Sequence, residues 1–159
     1  ENSQYEGADP VYAGSATTVK RAISMRGVRA RGIRIPQEER DRFNFVDFRR
    51  CKLKNQGSIE KLLDLNARVE AAEIEMGNRA GYGIHYLEPY RGIDENVDYD
   101  FVIMRHYYSA EMRSSIVTSS PSFREMMNKN GFYKEFRRYA ECGPESTFRV
   151  EWLYNSYQD

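Results

Sequence analysis

Two cysteines and two histidines are the side chains best suited to covalent or metal chemistry in this chain of 159 residues. Cys51 follows two arginines, whose charges favour the reactive thiolate form. Cys142 lies near the end of a predicted helix, where the negative end of the helix dipole disfavours a thiolate. Free thiols are the simplest interpretation, with covalent attachment of a pigment as the alternative. A single disulfide is also open, because the spacing of two cysteines does not predict their pairing.

The other combinations that support catalysis or metal binding do not occur in the sequence. His85 and His106 lie at no metal-ligand spacing from each other or from a cysteine. The acidic residues between Asp94 and Asp100 lack the ligand spacing of an EF-hand. The glycine-rich segment "GNRAGYG" lacks the preceding strand and following helix of a phosphate-binding loop. We therefore expect neither an enzyme nor a metal-binding protein.

Aromatic and basic residues alternate in the segment "NGFYKEFRRYAECGPESTFRVEWLY", which covers residues 130–154. One interpretation is an aromatic core whose basic side chains reach solvent. The other is a surface that binds a flat or acidic partner, because rings stack and guanidinium groups pair with acids. The candidate partner-binding residues of this segment are Tyr133, Phe136, Arg137, Tyr139, Phe148, Arg149 and Trp152.

The positive charge of the chain is concentrated near its beginning. Residues 11–54 carry twelve Lys or Arg and four Asp or Glu, although the whole chain is neutral. Gly27 and Gly32 disfavour a helix there, and Pro36 biases the residue before it towards extended geometry. We expect residues 1–35 to form an extended basic arm that becomes ordered on an acidic partner. Its candidate contact residues are Arg26, Arg29, Arg31 and Arg34.

The clearest predicted element is a helix over residues 59–76, with Ser58 as its N-cap. Its apolar residues recur at spacings of three and four, so one face must dock on another surface. Helices are also predicted after Pro36, over residues 98–113, after Pro121, around Phe132–Tyr139 and over residues 146–157.

These elements predict a mainly α fold, in which a small aromatic-rich helical domain follows a long extended basic arm. The predicted boundaries are residues 1–35 for the arm, 36–97 for a helical and loop segment, and 98–159 for the helical domain. The apolar runs are only a few residues long, so no transmembrane segment is expected.

Residues 123–151 contain a helix-like run that ends in F-Y-K-E-F, then a polar break, then F-R-V-E. This pattern resembles the linker domain of the phycobilisome linker polypeptides, and an earlier helix of that family resembles the segment around Asp100, Ile103 and Tyr107. The positions that carry the resemblance are Arg124, Asn128, Tyr133, Lys134, Phe136, Phe148, Arg149, Val150 and Glu151.

The resemblance implies a structural linker in a light-harvesting antenna, associated with the thylakoid of a plastid or cyanobacterium on its soluble side. Such linkers lie inside discs of phycobiliproteins, where arginines pair with carboxylates and bilin propionates and rings pack on the pigment. It therefore implies phycobiliprotein partners and contacts to bilins rather than a cofactor of the chain's own. Cys51 and Cys142 become candidates for bilin attachment.

The preferred interpretation is thus a non-enzymatic linker or scaffold of a large assembly. The alternative is a nucleic-acid-associated protein such as an organellar ribosomal subunit, because arginines neutralise phosphates and aromatic rings stack on bases. An enzyme with an unrecognised site is the third hypothesis. Visible absorbance that co-purifies would favour the antenna linker, whereas nuclease-sensitive absorbance at 260 nm would favour nucleic acid.

Overall fold

A computed structural model describes residues 24–40, 43–77, 81–91, 97–117 and 121–151. Residues 1–23 of the predicted arm and the candidate residue Trp152 lie outside this part of the chain. The strands are β1 (Ser24–Ile33), β2 (Phe43–Leu53), β3 (Tyr82–Arg91), β4 (Phe101–Tyr107) and β5 (Ala140–Glu151). The helices are α1 (Ile59–Glu75), α2 (Ala110–Val117), α3 (Pro121–Lys129) and α4 (Phe132–Tyr139), with a short 3₁₀ turn at Gln37–Glu39.

The five strands form one sheet in the order β1-β3-β4-β2-β5, and every neighbouring pair is antiparallel. From β2 onward the chain alternates as strand, helix, strand, strand, helices, strand. With the order β3-β4-β2-β5, this is the split β-α-β arrangement of ferredoxin-like folds. Strand β1 extends that sheet by pairing with β3. The single sheet draws strands from all three segments predicted from the sequence.

The predicted mainly α fold is therefore wrong, and residues 98–113 show why. Their apolar residues at spacings of three and four suggested a helix, but Phe101–Tyr107 is strand β4. Phe101, Ile103 and Tyr107 are buried on one face of the sheet, which is the two-residue period of a strand. A short aromatic run fits both periods, so only pairing with neighbouring strands decides the outcome.

Two further helix predictions are wrong for the same reason. The helix expected after Pro36 is strand β2 over most of its length. The helix expected over 146–157 is the second half of β5 as far as Glu151, and the remaining residues lie outside the described chain. The F-R-V-E motif of the linker resemblance, which falls within the helix predicted over 146–157, consequently lies in strand β5.

The described part of the predicted basic arm is also a regular element of the domain. Its residues form β1, where Val28 lies opposite Tyr86 and Ala30 is buried. Gly32 has a φ of 153°, and a Cβ there would lie 2.4 Å from the carbonyl oxygen of Tyr82. Close approach of β1 to β3 thus explains this glycine, whose role in the sequence alone is only that of a helix breaker.

Local signals located the other helices well. Ser58 caps α1, and its hydroxyl accepts a hydrogen bond of 3.3 Å from the backbone N–H of Lys61. Leu62, Leu65 and Val69 of its apolar face are buried within the same chain. The predicted helices after Pro121 and around Phe132–Tyr139 are present as α3 and α4.

One face of the sheet, here called the inner face, packs against α1 and α4 and includes Tyr82, Ile84 and Tyr86. The opposite, outer face includes Gly83, His85 and His106. A second buried cluster joins α1 to α3 and α4 and comprises Leu65, Val69, Met126, Met127 and Phe132. Within the described residues, no helix is both long and apolar enough to cross a lipid bilayer.

Candidate functional site

A cavity of about 510 Å³ lies between the inner face of the sheet and helices α1, α3 and α4. Its volume is within the range of roughly 300–1,000 Å³ that is common for small-molecule sites. All five strands contribute at least one residue to its lining. The apolar and aromatic part of the wall consists of Leu65, Val69, Ile84, Tyr86, Ile103, Met127, Phe132, Tyr133, Phe136 and Ala140.

The polar part of the wall is strongly cationic. Among the described residues, five basic side chains and a single carboxylate, that of Glu141, line the cavity. The strand register explains part of this, because Ile84 lies opposite Arg31 on one side and Arg105 on the other. Both arginines therefore point to the inner face. The basic residues of the lining are Arg31, Arg49, Lys54, Arg105 and Arg137.

Arg105 lies in the central region of the sheet and is weakly paired. Its Nη1 donates to the hydroxyl of Tyr107 at 3.2 Å and lies 3.5 Å from Glu145, and these are its hydrogen bonds among the described residues. Burial opposes the charge, but Tyr107 and Glu145 outweigh it, so the pKa of Arg105 is raised. The guanidinium group is thus a permanent cation with donor capacity to spare.

Arg31 reaches the cavity from the edge strand β1. Its Nη1 donates to Glu73 at 2.6 Å, and the Tyr82 hydroxyl donates to the same carboxylate. The Nε of Arg31 is buried and has no hydrogen-bond partner among the described residues. A buried donor without an acceptor is costly, so an acceptor group from a ligand would be favoured here.

Tyr86 places a neutral donor beside these cations. Its hydroxyl accepts a hydrogen bond of 2.5 Å from Asn66, which also donates to the backbone oxygen of Leu62. Burial raises the pKa of Tyr86 to about 12, partly offset by the hydrogen bond from Asn66. The hydroxyl therefore keeps its proton at neutral pH and can donate it to an anion in the cavity.

The other basic residues lie where β2, α4 and β5 meet. Lys54 Nζ donates to the backbone oxygen of Arg137 at 3.0 Å and lies 3.7 Å from Glu141. Arg49 Nε donates to the backbone oxygen of Gly143 at 3.2 Å. Lys54 and Arg137 are exposed, so this end of the cavity is its solvent-facing side.

A disulfide joins Cys51 to Cys142, which are direct cross-strand partners in β2 and β5. Cys51 is buried in the core on the inner face of the sheet, whereas Cys142 belongs to the cavity wall. The sequence left a disulfide open, and the structure contains it. In this state neither sulfur is available as the thiol that bilin attachment requires.

The structure divides the residues predicted to bind partners into two groups. Four of them share the cavity wall, namely Arg31, Tyr133, Phe136 and Arg137. The others described lie outside the wall. Arg29 donates to Glu70 on α1 at 2.7 Å, and Tyr139 packs under Lys61. The remaining members of this second group are Arg26, Arg34, Phe148 and Arg149.

Sequence reasoning missed the residues that β2, β3 and β4 bring to the cavity. Arg49 and Arg105 were not candidates, because helices were predicted over the segments that contain them. Tyr86 lies in a short alternating run, Ile84–Tyr86, which is only a weak strand signal and was not enough to make it a candidate. The alternation Phe101, Ile103, Arg105 and Tyr107 was the available signal. Read with a strand period, it puts one arginine among buried aromatic residues.

The outer face of the sheet carries a histidine pair. His85 and His106 stack with ring centroids 5.4 Å apart, and His106 also meets the ring of Tyr108 edge-on. Burial lowers the pKa of His106 to about 4, and the charges of His85 and Arg40 add to this. At neutral pH the pair is uncharged and behaves as packed aromatic surface.

Comparisons with known proteins give little guidance to function. No family model matches the chain, and no curated protein matches its sequence. A solved structure from Bacteroides fragilis, described as a dimeric protein of unknown function with a ferredoxin-like fold, is 12% identical with a TM-score of 0.34. The match covers 71% of this chain and 99% of that one.

The predicted roles in a phycobilisome or on nucleic acid are not tested by the cavity or by these comparisons. They stay predictions, as does the absence of enzymatic activity.

Proposed function

We propose that the protein is a non-enzymatic binding protein whose inner cavity takes a small anionic ligand with an apolar body. The observation that supports this is the composition of the wall, which combines apolar and aromatic side chains with five cations and one carboxylate. Apolar burial would supply affinity, and charge-assisted hydrogen bonds would orient the acidic group.

The acidic group of the ligand fits best near Arg105, Arg31 and Tyr86. Arg105 has weak partners, Arg31 has a buried Nε without an acceptor among the described residues, and Tyr86 has a hydroxyl proton to donate. A carboxylate accepts several such bonds at once. The apolar body would then lie against Leu65 and Phe136.

A long-chain carboxylic acid is the simplest probe of this chemistry. Isothermal titration with dodecanoate should show saturable binding, and 1-dodecanol, which has the same chain without the charge, should bind about tenfold to a hundredfold more weakly. Equal affinity for the acid and the alcohol would show that the basic side chains do not recognise the carboxylate of the ligand. No binding of either probe would refute the cavity as a site for this class.

Arg105→Met tests the residue on which the charge argument depends. It should weaken the binding of dodecanoate by about tenfold or more and leave the affinity for dodecanol nearly unchanged. The matched control is Arg50→Met, because Arg50 is exposed, lies outside the cavity wall and rests over the ring of Tyr99. If Arg50→Met weakened dodecanoate as much as Arg105→Met, the effect would be one of net charge.

A bilin belongs to the same chemical class, since it carries two propionates on an apolar frame. Biliverdin should therefore enter the same titration series, with visible absorbance as an independent signal. Binding of biliverdin that depends on Arg105 would support the antenna role implied by the linker resemblance. Binding of dodecanoate without biliverdin would favour a carrier of simpler acids.

A further inference from the structure

The sheet has two edge strands, β1 and β5, and they differ in how they are protected. An edge strand presents unpaired N–H and C=O groups that can pair with another chain. Strand β1 contains Arg26, Arg29 and Arg31 and no acidic residue. Two copies of β1 would therefore bring like charges together, which is a recognised protection against edge pairing.

Strand β5 lacks this protection. It is twelve residues long, and residues 143–149 are exposed. It pairs with β2 on one side, and the Cys51–Cys142 disulfide fixes it there. Among the described residues no strand occupies its other side. The edge is thus long and held in place, and its register with β2 is continuous from Glu145 to Glu151.

The charges of β5 are complementary to themselves. When two copies of one strand pair antiparallel about a two-fold axis at Thr147, Glu145 of each lies opposite the partner's Arg149. An axis at residue 146 would put Glu145 opposite the partner's Thr147. An axis at residue 148 would put Arg149 opposite the partner's Thr147. Of these three registers, only the one centred on Thr147 pairs opposite charges, and it does so twice. A register centred on residue 150 would pair Arg149 with Glu151, but it would leave only residues 149–151 of the described strand in the ladder.

We infer that two copies of this chain form a dimer by antiparallel pairing of their β5 strands about Thr147. Residues 144–150 would form the shared ladder, which ends at Pro144 because proline lacks an N–H donor. Phe148, which is 53% exposed, would lie opposite Ser146 of the partner subunit and lose part of that exposure. The two sheets would join into one continuous sheet with the inner faces on the same side.

The charge pairs give a test that separates this interface from any other. In sedimentation equilibrium over a concentration series, the wild-type chain should dimerise. The substitution Arg149→Glu puts a second acidic side chain opposite Glu145 of the partner subunit. The substitution Glu145→Lys puts a second basic side chain opposite Arg149 of the partner subunit. Because the axis doubles each change, either substitution should weaken dimerisation by about tenfold or more.

An equimolar mixture of the two variants restores opposite charges at both positions. It should form a heterodimer with an affinity within about threefold of the wild type. Lys134→Glu on the exposed face of α4 is the control, since it matches the charge change of Arg149→Glu away from the edge. Thermal melting of each variant verifies folding, which matters for Glu145→Lys because Glu145 lies 3.5 Å from Arg105.

Three outcomes would overturn the inference. They are a wild-type chain that stays monomeric throughout the series, single variants that dimerise like the wild type, and a mixture that remains as weak as its components. The second outcome would mean that the copies meet through another surface.

Discussion

The imidazole ring of His106 lies over the backbone of Gly83, its direct partner in the pairing of β3 with β4. A Cβ at Gly83 would come within 2.2 Å of Cε1 of His106, a distance that real Cβ atoms do not reach. The absence of a side chain at Gly83 therefore provides the space in which the ring sits. This relationship places the histidine pair flat against the outer face of the sheet.

Gly83→Ala should lower the free energy of unfolding by about 1–3 kcal/mol, because the new methyl group overpacks against the ring. In a His106→Ala background the same change should cost less than about 1 kcal/mol, since the obstructing ring is gone. Chemical denaturation of the four proteins measures this coupling. Gly143→Ala is the control, as its nearest contact would be at 3.8 Å. Equal costs in both backgrounds would contradict the packing described.

The lowered pKa of His106 predicts a stability loss on acidification. The value of about 4 in the folded chain lies below the ordinary 6.5, so the folded state resists protonation that the unfolded state accepts. Protonation of His106 therefore does not reduce the free energy of unfolding above pH 6.5, and the free energy of unfolding falls as the pH drops from 6.5 to 4. Partial burial limits the loss to about 2–3 kcal/mol.

His106→Phe isolates this effect, because a similar ring remains and cannot titrate. Carboxylates such as Glu135, whose pKa is lowered chiefly by a hydrogen bond from Arg68, also make the fold less stable in acid. Their effect on the free energy of unfolding is the same in the wild type and the variant. The difference between wild type and variant, from urea denaturation at pH 7 and pH 4.5, is the quantity to follow. A difference that does not change with pH would argue against a protected neutral histidine.

Glu73→Gln should be strongly destabilising. Glu73 is 3% exposed, pairs with Arg31 at 2.6 Å and accepts a hydrogen bond from Tyr82. The substitution leaves the guanidinium of Arg31 buried without its counter-charge, so we expect a loss of about 3–5 kcal/mol. Glu75→Gln, at an exposed position at the end of the same helix, should change stability by less than about 0.5 kcal/mol. Thermal melting of both variants measures the difference between their stability losses. Similar losses in the two variants would contradict the burial of the Glu73–Arg31 pair.

Reduction of the disulfide should destabilise the fold and loosen the C-terminal edge. The bond closes a loop across a sequence separation of 91, for which chain entropy predicts a contribution of about 4–5 kcal/mol. The double variant Cys51→Ala, Cys142→Ala should show the same loss without a reductant. Hydrogen exchange should rise first in β5, since β2 keeps its other neighbour, β4. Uniform exchange along the whole sheet would contradict this order.

Local chemistry made part of this fold predictable. Ser58 and the apolar spacing that follows it are enough to place α1 within one residue of its observed end at Glu75. The proline at residue 121 begins α3 as expected from its fixed φ. In each case the interactions that decide the structure lie within a few residues along the chain.

The sheet was not predictable in the same way, because strand pairing joins distant residues. Phe45 lies opposite Tyr107 on one side and Arg149 on the other, and nothing near Phe45 in the sequence specifies either partner. Glycines at 27 and 32 looked like helix breakers and belong to a strand. The cavity followed the same pattern. Its α4 residues stood out as an aromatic and basic cluster, whereas Arg105 became visible only once its strand was paired.

The disulfide also changes the covalent connectivity of the chain. In covalent terms, residues 51–142 are a closed ring from which the two ends of the chain extend as tails. The ring contains α1, β3, β4 and all the remaining helices. A protease that cuts once within it opens the ring without releasing a fragment, and the two pieces separate only when a reductant is added. A chain that is cut once within the ring therefore remains one covalent molecule until the disulfide is reduced.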